Sequence, residues 1–200
     1  MNYNINENHN LFVNSGYYSK QPFMYAVYPF GRNYVNDNLT NEKIVGMESG
    51  YGFHSSKFTT NLNLYRTTWK DRFQTVGDRT VVAGTLENPN GYFLYEGLSK
   101  THQGVELDFN FKPINKLMVN GMLSYGNWFY NGNATSTRYT LSNQLFGAGA
   151  NVLYLDKVKV GNAAQSTAAI GATYELVKRV KIDANYLYAT NLYADFIQHI

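Results

Sequence analysis

Apolar and polar residues alternate along residues 101–130, and this alternation constrains the fold more than any other feature of the sequence. The odd positions of the first half are apolar: Val105, Leu107, Phe109 and Phe111. The even positions around them are small, polar or charged: Gly104, Glu106, Asp108, Asn110 and Lys112. Because successive side chains of a strand point to opposite faces, we expect a strand with one apolar and one charged face. Each half has roughly 10 residues or more, about the length that a tilted strand needs to cross a bilayer.

The same pattern recurs along the chain and predicts seven strands, which cover residues 10–18, 42–54, 58–70, 101–112, 117–130, 158–176 and 181–190. Their connections alternate in length. The short ones are tight turns at residues 55–57, 113–116 and 177–179. The long ones cover residues 19–40, 71–100 and 131–157. Structureless loops this long are uncommon in compact soluble domains, whereas short turns on one side and long loops on the other are typical of outer-membrane barrels.

These features predict an all-β fold: a segment of an antiparallel, up-and-down transmembrane β-barrel with short periplasmic turns and long extracellular loops. Aromatic residues near strand ends, such as Tyr17 and Tyr188, fit the interfaces of a membrane. Cross-strand packing in a soluble sheet is the alternative. Arg66 interrupts the apolar face of its strand, which predicts either the wet rim of the span or a bulge. Within residues 71–100, T-V-V-A-G-T and G-Y-F-L-Y predict a small hairpin.

Composition and motifs exclude several classes of function. A formal net charge of +3 gives no indication of nucleic-acid binding. The absence of cysteine excludes disulfides and thiolate metal sites. None of the histidines lies in a hydrolase or metal-binding motif: His9, His54, His102 and His199. We therefore expect no catalytic residues, no metal site and no cofactor.

Several stretches, taken in order, resemble the barrel of the TonB-dependent outer-membrane receptors, especially those of the Bacteroidota. They include N-L-F-V-N-S-G-Y-Y-S-K-Q-P-F, N-E-K-I-V-G-M-E-S-G-Y-G-F, F-T-T-N-L-N-L-Y-R-T-T-W-K-D-R-F and Y-E-G-L-S-K-T-H-Q-G-V-E-L-D-F. The stretches K-V-G-N-A-A-Q-S-T-A-A-I-G-A-T-Y-E and N-L-Y-A-D-F also match. The resemblance implies a barrel of about 22 strands with a plugged lumen, which imports nutrients using energy relayed by TonB.

The resemblance also has consequences for organisation and partners. It implies that residues 1–200 are part of the barrel domain, from its C-terminal half and without the plug or the last strands. The implied location is the outer membrane of a Gram-negative cell. The implied partners are outer-membrane lipid, the protein's own plug domain, the TonB complex and an unknown small-molecule or glycan ligand, with or without a surface lipoprotein.

Other functions stay open on the sequence alone. A passive porin-like channel and a soluble all-β ligand-binding module fit the same alternation. A plug domain encoded upstream would select the energised receptor, whereas an upstream barrel without a plug would select the channel. Partitioning away from membranes would select the soluble module. The ligand of a receptor is equally open among glycans, metal chelates and vitamins.

Two groups of residues are candidates for contacts with a ligand or the plug. Aromatic side chains in the long loops can stack on sugars and apolar ligands, and these candidates are Tyr25, Tyr28, Phe30, Tyr34, Tyr92, Phe93 and Tyr95. Packing of the loops against each other is the alternative for each of them. Polar strand residues should face the lumen and contact water or the plug, and these are Glu48, Glu106, Asp108, Lys112, Glu175 and Asp183.

Overall fold

The computed structural model describes residues 1–31, 33–37, 39–78, 91–140, 142–147 and 149–195. The strands in this part of the chain are β1 (Asn2–Asn4), β2 (His9–Lys20), β3 (Glu42–His54), β4 (Phe58–Gly77), β5 (Tyr92–Ile114), β6 (Leu117–Tyr130), β7 (Ala134–Tyr139), β8 (Asn151–Leu153), β9 (Ala164–Val177) and β10 (Val180–Leu192). A short helix, α1 (Met24–Val27), and a 3-10 turn (Pro29–Gly31) lie between β2 and β3. No helix among the described residues is long and apolar enough to cross a membrane.

The strands form one antiparallel, up-and-down sheet. Its order is β1-β2-β3-β4-β5-β6-β9-β10, while β7 pairs with the end of β5 at Tyr92 and β8 pairs with β7. We call the end of the sheet at Tyr92 its outer end. The described strands do not close the sheet on itself. The seven long strands are the seven that the alternation predicts, so the predicted fold class is confirmed.

The register between strands aligns the predicted apolar residues into continuous rows. One row crosses seven strands and consists of Leu11, Tyr51, Leu62, Leu107, Leu123, Ala168 and Tyr188. We call the side of the sheet that carries this row the apolar face. Its residues remain accessible, with Leu123 52% and Ile170 54% exposed. A contiguous exposed apolar surface of this extent is typical of a protein that is covered by lipid or by a partner.

Two strands extend further than the sequence predicts. Residues 71–77 and 92–100 of the predicted loop are strand, because β4 continues to Gly77 and β5 begins at Tyr92. The register shifts between Trp69 and Gln74, and Asp71 adopts a positive φ of 56°. This bulge absorbs the break in the alternation, so that strand pairing resumes beyond it. The bulge therefore begins beyond Arg66, which pairs with Gln103 in regular register, and the bulge interpretation of Arg66 is wrong.

The predicted hairpin within residues 71–100 is also wrong in its pairing. Tyr92 and Tyr95 pair with Gly77 and Gln74, respectively, at the outer end of β4. The other predicted arm, residues 80–85, lies outside the described residues. Instead of forming a separate hairpin, β4 and β5 continue to pair with each other beyond the bulge, because their backbone N–H and C=O groups still require hydrogen-bond partners.

The predicted strand at residues 158–176 begins late, at Ala164. Asn162 has a positive φ of 68°, which interrupts the extended backbone. The residues before it pair instead with the end of β6, where Tyr130 N donates to Val158 O at 2.8 Å and Val160 N donates to Trp128 O at 3.0 Å. The predicted loop at residues 131–157 likewise contains β7 and β8.

The buried hydrophobic core lies at the outer ends of β5 and β6 and in the chain that follows β6. Its members are Tyr95, Leu98, Tyr130, Ala134, Leu155 and Val160. We call this body the outer cap; it comprises β4 residues 70–77, β5 residues 92–100, the end of β6, β7, β8 and residues 154–160. The buried Gln165 side chain joins it to β9, because its Nε2 donates to Trp128 O at 2.9 Å and Val160 O at 3.0 Å. Its Oε1 accepts from Trp128 N at 2.9 Å.

Candidate aromatic binding sites and the polar face

The connection between β2 and β3 presents the first predicted aromatic cluster. Tyr25 on α1 is 56% exposed, and its ring stacks on Phe23 with a centroid distance of 5.7 Å. Tyr28 is also exposed, whereas Tyr34 is half-buried. The side chain of Phe30 lies outside the described part of the structure. The rings of Tyr25 and Tyr28 therefore have surface available for a ligand.

The second predicted cluster belongs to the interior of the outer cap. Tyr92 and Tyr95 are almost fully buried, and Phe93 is half-buried. The ring of Tyr92 stacks on Tyr139 at 5.1 Å, and its hydroxyl group forms hydrogen bonds with Tyr34 and Asn143. The Tyr34–Tyr92 contact brings the two predicted clusters together. Their burial favours the alternative that Tyr92 and Tyr95 pack the outer cap, so that any effect of these two rings on ligand binding would be indirect.

Charge and burial also shape the outer cap. The Arg138 guanidinium lies 4.2 Å from the ring centroid of Phe146 and 5.5 Å from that of Phe93, and it forms an ion pair with the buried Asp78. Cation–π contacts of this kind order the loop around the guanidinium. In β7, burial and then the charge of Glu96 raise the pKa of Tyr139, so its hydroxyl stays neutral.

An aromatic cluster that the sequence analysis does not single out lies opposite the apolar face. The His102 ring stacks on Trp128 with a centroid distance of 4.7 Å and meets Trp69 edge-on at 4.8 Å. Trp128 Nε1 donates to Tyr65 Oη at 3.0 Å, and Lys100 Nζ lies 5.3 Å from the centroid of Trp69. All are at polar-face positions of their strands, and large aromatic residues at such positions are the sequence signal that could have identified the cluster.

Two glycines make this cluster possible. A Cβ atom on Gly104 would lie 2.6 Å from Tyr65 Oη, and one on Gly126 would lie 2.8 Å from Trp128 Nε1. Both distances are shorter than real Cβ atoms show. The missing side chains therefore allow the Tyr65 and Trp128 rings to lean across neighbouring strands and meet.

The six predicted lumen-facing residues alternate with the apolar rows and so share the polar face. Asn61 Nδ2 donates to Asp108 Oδ2 at 3.0 Å, and Thr173 Oγ1 donates to Asp183 Oδ1. The ion pairs found in the described ranges lie at the outer end of the sheet and include none of the six: Lys20–Glu42, Arg72–Glu42, Lys43–Asp71 and Arg138–Asp78. The same ranges contain no group of three or more His, Asp or Glu residues that could hold a metal ion.

Comparison with solved structures gives several alignments of low sequence identity. The copper transporter OprC aligns with a TM-score of 0.50 and 10% identity, over 92% of this chain and 32% of that chain. A mutant of the TodX monoaromatic hydrocarbon channel aligns with a TM-score of 0.43 and 11% identity, over 88% and 49%. The ferric enterobactin receptor of Pseudomonas aeruginosa, as a mutant, aligns with a TM-score of 0.33 and 13% identity, over 92% and 33%. The chain thus spans about one third to one half of their lengths.

Sequence comparison gives the family directly. No curated protein sequence matches the chain. The profile of the family described as "TonB dependent receptor-like, beta-barrel" matches residues 1–198, nearly the whole chain. The predicted strands, their register and the open up-and-down sheet agree with that assignment. The chain belongs to the TonB-dependent receptor β-barrel family.

Proposed function

We propose that the chain forms part of an outer-membrane receptor that binds a nutrient at the cell surface and imports it with energy supplied through TonB. The observation that carries the proposal is the continuous apolar face backed by a polar face, in a chain that belongs to this family. The apolar face would contact lipid, and the polar face would line the lumen. In this proposal the energy comes from the inner membrane, and the TonB complex relays it to the plug domain.

The aromatic residues would contribute to ligand capture in two ways. Tyr25 and Tyr28 would contact ligand directly, together with Phe30, because exposed rings offer a face for stacking. Tyr34 and Phe93 would border that surface. Tyr92 and Tyr95 would hold the outer cap in shape beneath it, since both are buried. Loops at the outer mouth meet the ligand first, so selectivity should lie there and stability in the strands.

Three acidic residues of the polar face favour contact with the plug domain. Glu48 on β3 and Glu106 and Asp108 on β5 flank β4 on the polar face, without ion-pair partners among the described residues. Basic or amide groups of a plug would complete their hydrogen bonds. Crosslinking from cysteines introduced at positions 48 and 108 to the plug would test the contact.

Growth and uptake experiments test the function. Deletion strains would be grown under limitation on panels of glycans, metal chelates and vitamins, with and without complementation by the gene. We expect a defect for one nutrient class, reproduced by deleting TonB and by dissipating the proton motive force. Uptake that depends on the gene but persists without TonB would instead support a passive channel. Recovery of the protein outside the outer membrane would contradict both.

A further inference from the structure

The aromatic cluster of Trp69, His102 and Trp128 surrounds two polar groups without partners. Lys100 and His102 lie two residues apart on the polar face of β5. The Nε2 atom of His102 is buried and has no hydrogen-bond partner among the described residues. Lys100 is half-buried, and none of the ion pairs in the described ranges includes it. Since nearly all buried polar groups in folded proteins are hydrogen-bonded, these two groups are suited to contact a ligand.

The acidic residues that act on Lys100 have other partners. Glu42 Oε1 lies 2.7 Å from Arg72 Nε, and Asp195 Oδ2 accepts a hydrogen bond from Asn162 Nδ2 at 2.8 Å. Lys100 is the last β5 residue of the outer cap, where burial, and then the charge of Arg72, lowers its pKa to about 8. The direction of this change shows that the surroundings disfavour the ammonium form. An anionic group placed against Lys100 would therefore stabilise it.

Two tryptophan rings flank these polar groups. Trp69 is the direct partner of Lys100 in the register of β4 and β5, and Lys100 Nζ lies 5.3 Å from the centroid of its ring. Trp128 lies on the other side of His102, and its hydrogen bond to Tyr65 fixes the orientation of the indole. Both tryptophans are half-buried, so part of each ring surface is accessible. Accessible aromatic rings beside a few converging polar groups are typical of a small-molecule site.

Space for a ligand lies beside the cluster on the polar face. A cavity of about 260 Å³ is lined by residues that include Gly16, Gly46, Glu48, Tyr65 and Thr67. Thr67 is the direct partner of His102, so the cavity adjoins the cluster. Glu48 lies four residues closer to the short turns than Ile44, which shares a row with Trp69 and Lys100. A negative group of a ligand would be repelled by Glu48 at one end and attracted by Lys100 at the other, which sets its orientation.

We propose that this cluster binds a ring that carries a carboxylate, as in the uronic acid units of acidic glycans. The ring packs against the accessible surfaces of Trp69 and Trp128. Its carboxylate accepts hydrogen bonds from Lys100 Nζ and from His102 Nε2, in the tautomer that carries the proton on Nε2. Hydrogen bonds between two charged groups are roughly twice as strong as neutral ones, so Lys100 distinguishes acidic from neutral rings. The inference rests on the proposed receptor function, for which it names the class of substrate.

The test compares acidic rings with their neutral esters. The protein in its full natural length, in a zwitterionic detergent without a sugar headgroup, is titrated by calorimetry with oligomers of galacturonate, glucuronate and mannuronate. The methyl esters of the same oligomers keep the ring but lose the charge, and benzoate with methyl benzoate tests an aromatic acid as the other source of this chemistry. The parent should bind at least one acid about tenfold or more tightly than its ester. Lys100→Gln should bind that acid and its ester within about twofold of each other.

Three control variants separate the role of the charge from that of the fold. Lys116→Gln removes the same charge at a short turn and should leave the preference for the acid unchanged. Lys100→Arg keeps the charge and should retain the preference to within about threefold. Trp69→Leu removes one ring surface and should weaken the binding of acid and ester alike. Circular dichroism checks that each variant is folded.

Two results would overturn the inference. One is a parent that binds no acid of the panel more tightly than its ester, a comparison that needs no variant. The other is a folded Lys100→Gln variant that keeps the preference for the acid. TonB-dependent uptake is measured in parallel. A parent that imports another nutrient with TonB but binds no acid of the panel would reject the carboxylate site and leave the receptor function intact.

Discussion

In the sheet, Leu123 and Ile170 expose about half of their surface, at 52% and 54%, whereas Tyr95 and Leu98 in the outer cap expose 0% and 5%. Both regions are built from the same strands, β5 above all. Hydrophobic stabilisation grows with the apolar area removed from water. The side chains of the outer cap bury one another and stabilise it in this way, whereas the apolar side chains of the sheet stay exposed. The sheet therefore depends on its surroundings, while the cap is stabilised by internal packing.

The largest expected effect separates these two kinds of packing. Tyr95→Ala would leave a cavity in the cap and should lower its opening free energy by about 3–5 kcal/mol. Leu123→Ala removes a side chain that faces outward, so the cap should keep its stability while the yield of folded protein in the membrane falls. Amide hydrogen exchange of both variants, followed in residues 92–100 and 134–139, measures the difference. Equal loss of protection in the two variants would show that cap and sheet unfold as one unit.

A somewhat smaller effect is expected at the junction of the two regions. Gln165→Leu preserves the approximate size of the side chain but removes the hydrogen bonds that it forms with Trp128 N and Val160 O, while Trp128 O keeps the bond from Val160 N. Leaving buried polar groups unsatisfied should cost about 1–3 kcal/mol, with increased exchange at residues 158–160. Thr167→Val, two residues along the same face of β9, is the control. Unchanged exchange in Gln165→Leu would mean that the cap is held to β9 by packing alone.

The contrast between the regions also explains which features the sequence predicts. Alternation has a period of two residues and is local, so Val105 to Phe111 reveal both the strand and its apolar face. The outer cap depends on contacts between residues far apart in sequence, such as the stacking of Tyr92 on Tyr139, and on a bulge at Asp71 that no local sequence pattern predicts. The burial of Tyr92 and Tyr95 follows from those distant contacts, which is why their exposure could not be predicted.

The polar-face cluster illustrates an intermediate case. The positions of Trp69, His102 and Trp128 on the polar face can be read from alternation. Their adjacency requires the register of β4, β5 and β6, which pairs Thr67 with His102 and His102 with Trp128. A shift of one residue would move each ring to the opposite face. Sequence therefore predicts the face of each ring, whereas the structure shows the contacts between them.

A third prediction compares exposed with buried tyrosines in ligand capture. Replacing Tyr25 and Tyr28 by Ala should weaken ligand binding by about 1 kcal/mol for each ring that stacks on the ligand. Tyr92→Phe keeps the buried ring and removes only its hydroxyl group, so it should affect affinity less. Once growth screening identifies the nutrient, its binding to cells that carry each variant is measured and corrected for the amount of receptor at the surface. This measurement checks the expected affinities of both variants. Unchanged affinity in the double Ala variant would eliminate the exposed cluster as the contact site.

The smallest expected effect is a pH dependence confined to the outer cap. The pKa of Tyr139 is raised above 10.0 by burial first and by the charge of Glu96 second. The folded state thus holds the phenol proton more tightly than the unfolded state, and the resulting stabilisation is complete below the unfolded pKa of about 10. It is lost as pH rises through the higher folded pKa. Tyrosinate absorbance at 295 nm is titrated in the parent and in the Tyr139→Phe variant. The difference between the two curves isolates Tyr139, and its midpoint should lie above pH 10. The same difference is then measured with Glu96→Gln added to both the parent and the Tyr139→Phe variant. The midpoint should be lower than in the parent, because the charge of Glu96 is gone, but should stay above 10, because the ring remains buried. A midpoint below 10 in the parent would contradict the burial of this ring against Tyr92.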